Sequence, residues 1–273
     1  MNARTPASSL DTPSPLLSID QRDGVVILTL NRPESMNALS PALLKALNQA
    51  AAQLADATDI RAVIITGAGA AFCAGGDLLS FREALADPTG DTLIANIAFA
   101  QDVFSRIEAL PMPVIAAVNG HAIAGGLELL LCCDLVVAAS TARIGDGHAR
   151  FGIIPGGGAS VRLPQKLAAN RANHLLLSGD LLPAQTLADW GLVNEVVAPD
   201  ALLDTALALA GRLARHSPLG LRHIKGLAAQ ATHDTEAGLR AELDAFRQYA
   251  KSQDFAEGLA AFADKRQPAF TGN

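Results

Sequence analysis

The eighteen residues from Ala122 to Ala139, AIAGGLELLLCCDLVVAA, constrain the fold more than any other part of the chain. A membrane helix needs about 20 apolar residues, and this run comes close to that length. Gly125, Gly126, Glu128 and Asp134 interrupt it. Two carboxylates in hydrocarbon are too costly for an ordinary span, so the run reads as the buried interior of a globular fold. The rest of the chain can supply that interior. Half of the 273 residues are apolar and only 18% are charged, which excludes disorder and points to one large domain. The net charge is −6, and no block of Lys or Arg forms a phosphate-tracking stripe, so a general nucleic-acid binder is excluded. Met1 to Pro15 is rich in Ser, Thr and Pro and has no apolar h-region, so it reads as a flexible leader (1–15), not a signal peptide. Cys73 and the adjacent Cys132 and Cys133 have neither disulfide-framework nor metal-ligand spacing, which makes a reducing cytoplasm the expected compartment and a metal site unexpected.

Leu16–Ile19 and Gly24–Leu30 are apolar runs joined through Asp23-Gly24, the chemistry of a tight hairpin turn. Ser40-Pro41 provides an N-cap followed by Pro at the first helical position, and Leu43, Leu44, Leu47 and Leu54 then share one helical face. Further strands are expected at Arg61–Thr66, Pro113–Asn119 and Asp134–Ala139, with a helix near Asp91–Leu110 and a buried one near Gly126–Cys133. This alternation predicts an α/β core over residues 16–200. Residues 201–273 look helical and more charged, with amphipathic positions such as Leu239, Leu243 and Phe246, and form the C-terminal extension.

Glu128 is physically expensive. Its neighbours from Ala124 to Cys133 are nearly all apolar, so a helix here offers no wet face for a carboxylate. Burial either costs several kcal/mol or raises the pKa toward neutrality, the condition of a general acid or base, although a structural acid paired with an Arg fits the same pattern. Two glycine turns supply the complement. Gly75-Gly76 and Gly125-Gly126 follow the RAVIIT and PVIAAVN strands, and backbone N–H groups at such turns can converge on a developing oxyanion, with the dipole of the helix opening at Gly125 adding to the second. Competing motifs fail. Gly67-Ala68-Gly69 reaches Phe72 where a dinucleotide fingerprint needs glycine, and Gly156-Gly157-Gly158 lacks the Lys-Ser/Thr of a phosphate loop. Neither Gly-x-Ser-x-Gly nor His-Glu-x-x-His occurs.

Several ordered motifs together resemble the crotonase superfamily of enoyl-CoA hydratases and isomerases. They are LNRPE-x-MNAL from Leu30, FCAGGDL from Phe72, VNGHAIAGGLEL from Val118 with Cys133-Asp134 beyond, GIIPGGG from Gly152 and KRQPAF from Lys265. The resemblance covers about Leu16 to Gly272 and implies a spiral of ββα turns with a C-terminal helical region for oligomerisation and coenzyme contact. It also implies trimers or dimers of trimers, and a coenzyme A thioester as substrate with no permanently bound cofactor. By the same resemblance Gly76 and Gly125 form the oxyanion hole, Ala38, Ala74, Asp77 and Leu78 line the coenzyme track, and Lys265 reaches its phosphates.

The departure lies at His148. Hydratases of this family carry one glutamate at the position of Glu128 and a second shortly before the Gly-x-x-Pro-Gly turn, where this chain has His148. Histidine titrates near neutrality, and Asp146, two residues earlier and on the same side of an extended segment, could fix its tautomer. The expectation is therefore a hydratase whose acid–base pair is Glu128 and His148. The alternatives are an isomerase using Glu128 alone, an acyl-CoA binder without chemistry, or a diketone hydrolase. The last of these relies on an aspartate in the turn where this chain has Gly157. His121 is expected to pack, and His174, His216, His223 and His233 to be structural or at the surface.

Overall fold

In a computed structural model, which describes residues 14–84, 86–230, 251–264 and 266–273, the hairpin forms as the sequence predicts. β1 (Leu17–Arg22) and β2 (Val25–Leu30) pair antiparallel around Asp23 and Gly24, whose φ of 48° and 79° are those of a tight hairpin turn. Ser40 caps α1 (Pro41–Asp56), its Oγ accepting from Leu43 N at 3.2 Å.

The chain then repeats one unit. β3 (Ala62–Gly67) and β4 (Ala71–Cys73) lead into α2 (Leu78–Ala84) and α3 (Asp91–Glu108). β5 (Val114–Val118) and β6 (His121–Ile123) lead into α4 (Gly125–Leu131), and β7 (Leu135–Ala139) and β8 (Arg143–Gly145) lead through a 3₁₀ turn (His148–Phe151) into α5 (Ala159–Lys166). α6 (Ala169–Ser178), β9 (Leu182–Pro183), α7 (Ala184–Trp190) and β10 (Glu195–Val197) complete this region. The first strand of each unit joins a large sheet of order β1-β2-β3-β5-β7-β10, and the second joins a small sheet of order β4-β6-β8-β9. The run that resembled a membrane span is thus β6, α4 and β7 in succession. Among the described residues no helix is long and apolar enough to cross a membrane.

The central strands of the large sheet, β2, β3, β5 and β7, are buried on both faces, which explains why they are continuously apolar, whereas the edge strand β1 alternates. Val26, Leu28, Val63, Ile65, Ala116 and Val136 face the core shared with α1, α3 and α4. Ile27, Ile64, Ile115 and Val137 face Leu202, Ala206 and Ala210 of α8 (Leu202–Leu213). α9 (Pro218–Gln230) and α10 (Gln253–Asp264) follow. Leu239, Leu243, Phe246 and His233 lie outside the described residues, as does the leader up to residue 13. Asp254 on α10, 1% exposed, ties down the C-terminus. It accepts from Ser217 Oγ at 2.6 Å, Thr271 N at 2.7 Å and Gly272 N at 3.1 Å.

Candidate active site

The glycine turns do not follow the large-sheet strands directly. Each follows a three-residue strand of the small sheet, too short to show a period in sequence. β4 and β6 are parallel neighbours with Cys73 opposite Ala122, so the two turns emerge side by side. They come so close that a Cβ on Gly75 would lie 3.3 Å from Gly125 N. Leu39 N donates to Gly75 O at 2.8 Å and Asp77 N donates to Leu39 O at 3.4 Å, a parallel bridge that leaves the N–H of Gly76 outside that ladder. Gly125 opens α4, where a first-turn N–H has no partner within the helix. Ala124 ahead of it is held at φ 51°, ψ −116°, a conformation that strains any residue with a Cβ and sets the direction of the Gly125 peptide.

A cleft of about 580 Å³ opens over these turns and brings together Ala38, Ala74, Gly76, Asp77, Leu78, Gly125, Glu128 and His148. Glu128 is 3% exposed. Its Oε1 accepts from Gly157 N at 2.7 Å and from Ala159 N at 3.1 Å. Burial pushes its carboxyl above the ordinary 4.5, against the pull of the Ala159 amide, the nearby His148 and the Gly157 amide. The Arg partner that the sequence left open is not what compensates Glu128; the glycine loop is.

His148 is placed differently from the extended geometry expected for it. It opens the 3₁₀ turn, after Gly147 with φ 70°, yet the pairing with Asp146 forms within that turn. The Nδ1–H of His148 donates to Asp146 Oδ1 at 2.9 Å, and His148 N donates to Oδ2 at 3.3 Å. Asp146 is fully buried. Burial works against charge on the ring, but the hydrogen bond and charge of Asp146, with Glu128 beyond, outweigh it and hold the imidazole above its ordinary 6.5. With Nδ1 engaged, Nε2 is the nitrogen left for chemistry.

The Asp77 side chain serves the fold. It caps α2 by accepting from Leu79 N at 3.1 Å and Ser80 N at 3.2 Å, and it pairs with Arg32 at 2.8 Å. Against the effect of burial, the Arg32 guanidinium and these amides hold its carboxyl below the usual range. Lys265 lies outside the described residues. The Cys73 thiol is buried and pushed up to about 12 by that burial, which leaves it unreactive at neutral pH. His121 begins β6, with its Nδ1 buried and unsatisfied among the described residues. His174 pairs with Asp180 at 3.2 Å beside the Trp190 ring.

What the sequence reading missed is the role of the glycine triplet. A Cβ on Gly157 would lie 2.5 Å from Glu128 Oε2 and 2.7 Å from Phe104 Cε2, so a side chain there displaces the carboxylate.

A family model described as enoyl-CoA hydratase/isomerase matches residues 20–273. The chain belongs to the enoyl-CoA hydratase/isomerase family. It is 39% identical to 2,3-dehydroadipyl-CoA hydratase of Escherichia coli (strain K12), over 94% of this chain and 98% of that one. It is 38% identical to 1,2-epoxyphenylacetyl-CoA isomerase of the same organism, over 91% and 95%. The crystal structure of an enoyl-CoA hydratase from Bacillus anthracis superposes with a TM-score of 0.90 at 36% identity, covering 94% of this chain and all of that one. The family's crotonase fold accounts for the repeated ββα units and the two sheets described above.

Proposed function

We propose that this hydratase-like enzyme adds water to a 2-enoyl coenzyme A thioester, with Glu128 and His148 as its acid–base pair. The observation that carries the reading is the meeting of Glu128, the Asp146–His148 pair, Gly76 and Gly125 in one cleft. The Glu128 carboxylate takes a proton from water as the water oxygen bonds to Cβ. The π pair moves onto the thioester oxygen, which the Gly76 and Gly125 N–H groups stabilise as an enolate. The imidazolium of His148 then gives its Nε2 proton to Cα, and solvent returns the proton from Glu128 to His148, so the net change is one water added.

The acyl chain we propose is apolar. Phe104 flanks Glu128, Ile97 flanks Gly156 and Phe81 flanks Gly76. Among the described lining residues the charged groups are Arg32, Asp77, Glu128 and His148, and the Arg32 guanidinium is already paired with Asp77. A second carboxylate on the acyl chain finds no unpaired cation among them. Ala38, Ala74, Asp77 and Leu78 are proposed to line the coenzyme track, with Lys265 at its phosphates. A trimer or dimer of trimers in the cytoplasm, where three buried unpaired thiols stay reduced, completes the proposal.

The test is hydration of matched 2-enoyl thioesters, apolar and ω-carboxylated, by wild type, Glu128→Gln and His148→Ala. The reading expects turnover of the apolar substrate by wild type and a loss of about 10²–10⁴-fold in each variant. One observation favours a second reading: Glu128 is seated by Gly157 and Ala159 without help from His148. A single-acid isomerase would convert a 3-enoyl thioester without forming a hydroxyacyl product, and would keep that activity in His148→Ala. If all three proteins bound thioester and none converted it, neither enzyme reading would stand.

A further inference from the structure

The loop that seats Glu128 is itself gripped from outside the cleft. Gln101 Nε2 donates to Gly156 O at 2.6 Å. The carbonyl of Gly156 and the N–H of Gly157 are opposite ends of one rigid peptide plane. The far end of that plane is the donor that reaches Glu128 Oε1 at 2.7 Å. Gln101, one peptide group and Glu128 therefore form a continuous line of two hydrogen bonds. The next plane is held as well, because Arg162 Nη1 donates to Gly157 O at 2.9 Å. The guanidinium is fixed in turn by Glu108 Oε2, at 2.9 Å from Nε, and by Ser105 Oγ, at 3.3 Å from Nη2. Gln101, Ser105 and Glu108 stand at i, i+4 and i+7 on α3, so one face of this helix braces the whole loop. Neither Gln101 nor Arg162 lines the cleft.

We infer that Gln101 and Arg162 are positioning residues for the reaction, holding the Gly156–Gly157 peptide so that its N–H stays aimed at the Glu128 carboxylate. They touch no reacting atom. The donation into Gly156 O polarises the same peptide and strengthens the bond that its N–H makes to Glu128. A negative charge in place of the donor at the outer end should weaken the inner bond without altering the cleft surface. Gln101→Glu, similar in size, places an acceptor where the Gly156 carbonyl needs a donor. The inference rests on the functional reading above only in its rate measurements.

The experiment compares Gln101→Leu, Gln101→Glu, Arg162→Gln and Arg162→Lys with wild type by two readouts. The first is kcat and KM for 2-enoyl thioester hydration. The second is the titration midpoint of Glu128, followed by carboxyl ¹³C NMR on glutamate-labelled protein with the resonance assigned through Glu128→Gln. Of the charged groups that act on Glu128, Asp146 and His148 are unchanged in all four variants, whereas the Arg162 charge is kept in Arg162→Lys and lost in Arg162→Gln, so Gln101→Leu, which alters no charge, is the decisive variant for the midpoint.

Gln101→Leu is expected to lower kcat about threefold to tenfold, the worth of one hydrogen bond, and Gln101→Glu by more, with KM held within about twofold. Arg162→Gln is expected to lower kcat by about tenfold to a hundredfold, and Arg162→Lys to recover part of it. The Glu128 midpoint should rise in each impaired variant, because the carboxylate loses amide donation. Gln101 is at the surface, so its variants fold even if Arg162→Gln does not. Folded Gln101→Glu and Gln101→Leu with wild-type kcat and an unmoved midpoint would overturn the inference. Should wild type hydrate no enoyl thioester, the functional reading falls, and the midpoint alone decides whether the brace acts on Glu128.

Discussion

Replacing Gly157 by alanine tests how closely the carboxylate of Glu128 must be held. Gly157 is not held in the left-handed region that favours glycine, so the substitution acts mainly through the added methyl group. That carbon would stand 2.5 Å from Glu128 Oε2, against an ordinary C···O approach of about 3.3 Å. The carboxyl group must therefore shift by roughly 0.8 Å, since Phe104 at 2.7 Å blocks the other side and Arg162 holds the Gly157 carbonyl. A misplacement near 1 Å costs about a hundredfold in rate, or about 2.7 kcal/mol of transition-state stabilisation. Overpacking should also lower the unfolding free energy by about 1–3 kcal/mol. The assay is steady-state hydration followed by loss of the enoyl absorbance, alongside urea unfolding. Gly156→Ala is the control, because the atoms its Cβ would meet first all belong to the Ile97 side chain, Cγ2 at 2.9 Å, and none to Glu128. The expected pattern is a collapse of kcat with little change of KM in Gly157→Ala, and a much smaller effect in Gly156→Ala. A folded Gly157→Ala enzyme retaining kcat within threefold would refute the reasoning that this carboxylate is seated by that glycine.

Glu128→Gln, besides its loss of turnover by about 10²–10⁴-fold, should stabilise the fold at neutral pH, as read by thermal unfolding. A carboxyl whose folded pKa is raised binds more protons than in the unfolded chain, so its stability contribution falls as pH rises from the ordinary 4.5 through the raised value, and the advantage of the amide should vanish in acid. Asp146→Asn should move the alkaline limb of the rate profile to lower pH. The raised His148 pKa contributes stability that is complete below the ordinary 6.5 and lost as pH rises through the folded value, and the variant should lose that contribution too. Ala124→Gly should raise the unfolding free energy by about 1 kcal/mol by relieving the positive φ; a lower value in urea titration would contradict the strain argument. Asp254→Ala, which leaves the hydroxyl of Ser217 and the amides of Thr271 and Gly272 unpaired, should cost about 3 kcal/mol and expose the C-terminus to carboxypeptidase.

The sequence by itself determined the elements whose signals are local. The Asp23-Gly24 turn, the Ser40 cap and the continuous apolar runs of β2, β3, β5 and β7 follow from dihedral preference and from burial on both sheet faces. It also marked Glu128 as a costly carboxylate and, through ordered motifs, the family to which the chain belongs. Tertiary structure alone decided how that cost is met. The three-residue strands β4, β6 and β8 carry too few residues to show a period, and only their pairing sets the Gly75-Gly76 turn beside Gly125. Gly157 and Ala159 reach Glu128 across 29 and 31 residues of chain, and Gln101 grips Gly156 across 55, distances at which no local pattern records a contact. A buried charge is legible in sequence because its neighbours are apolar, whereas its compensation is not, because backbone amides carry no side-chain signature.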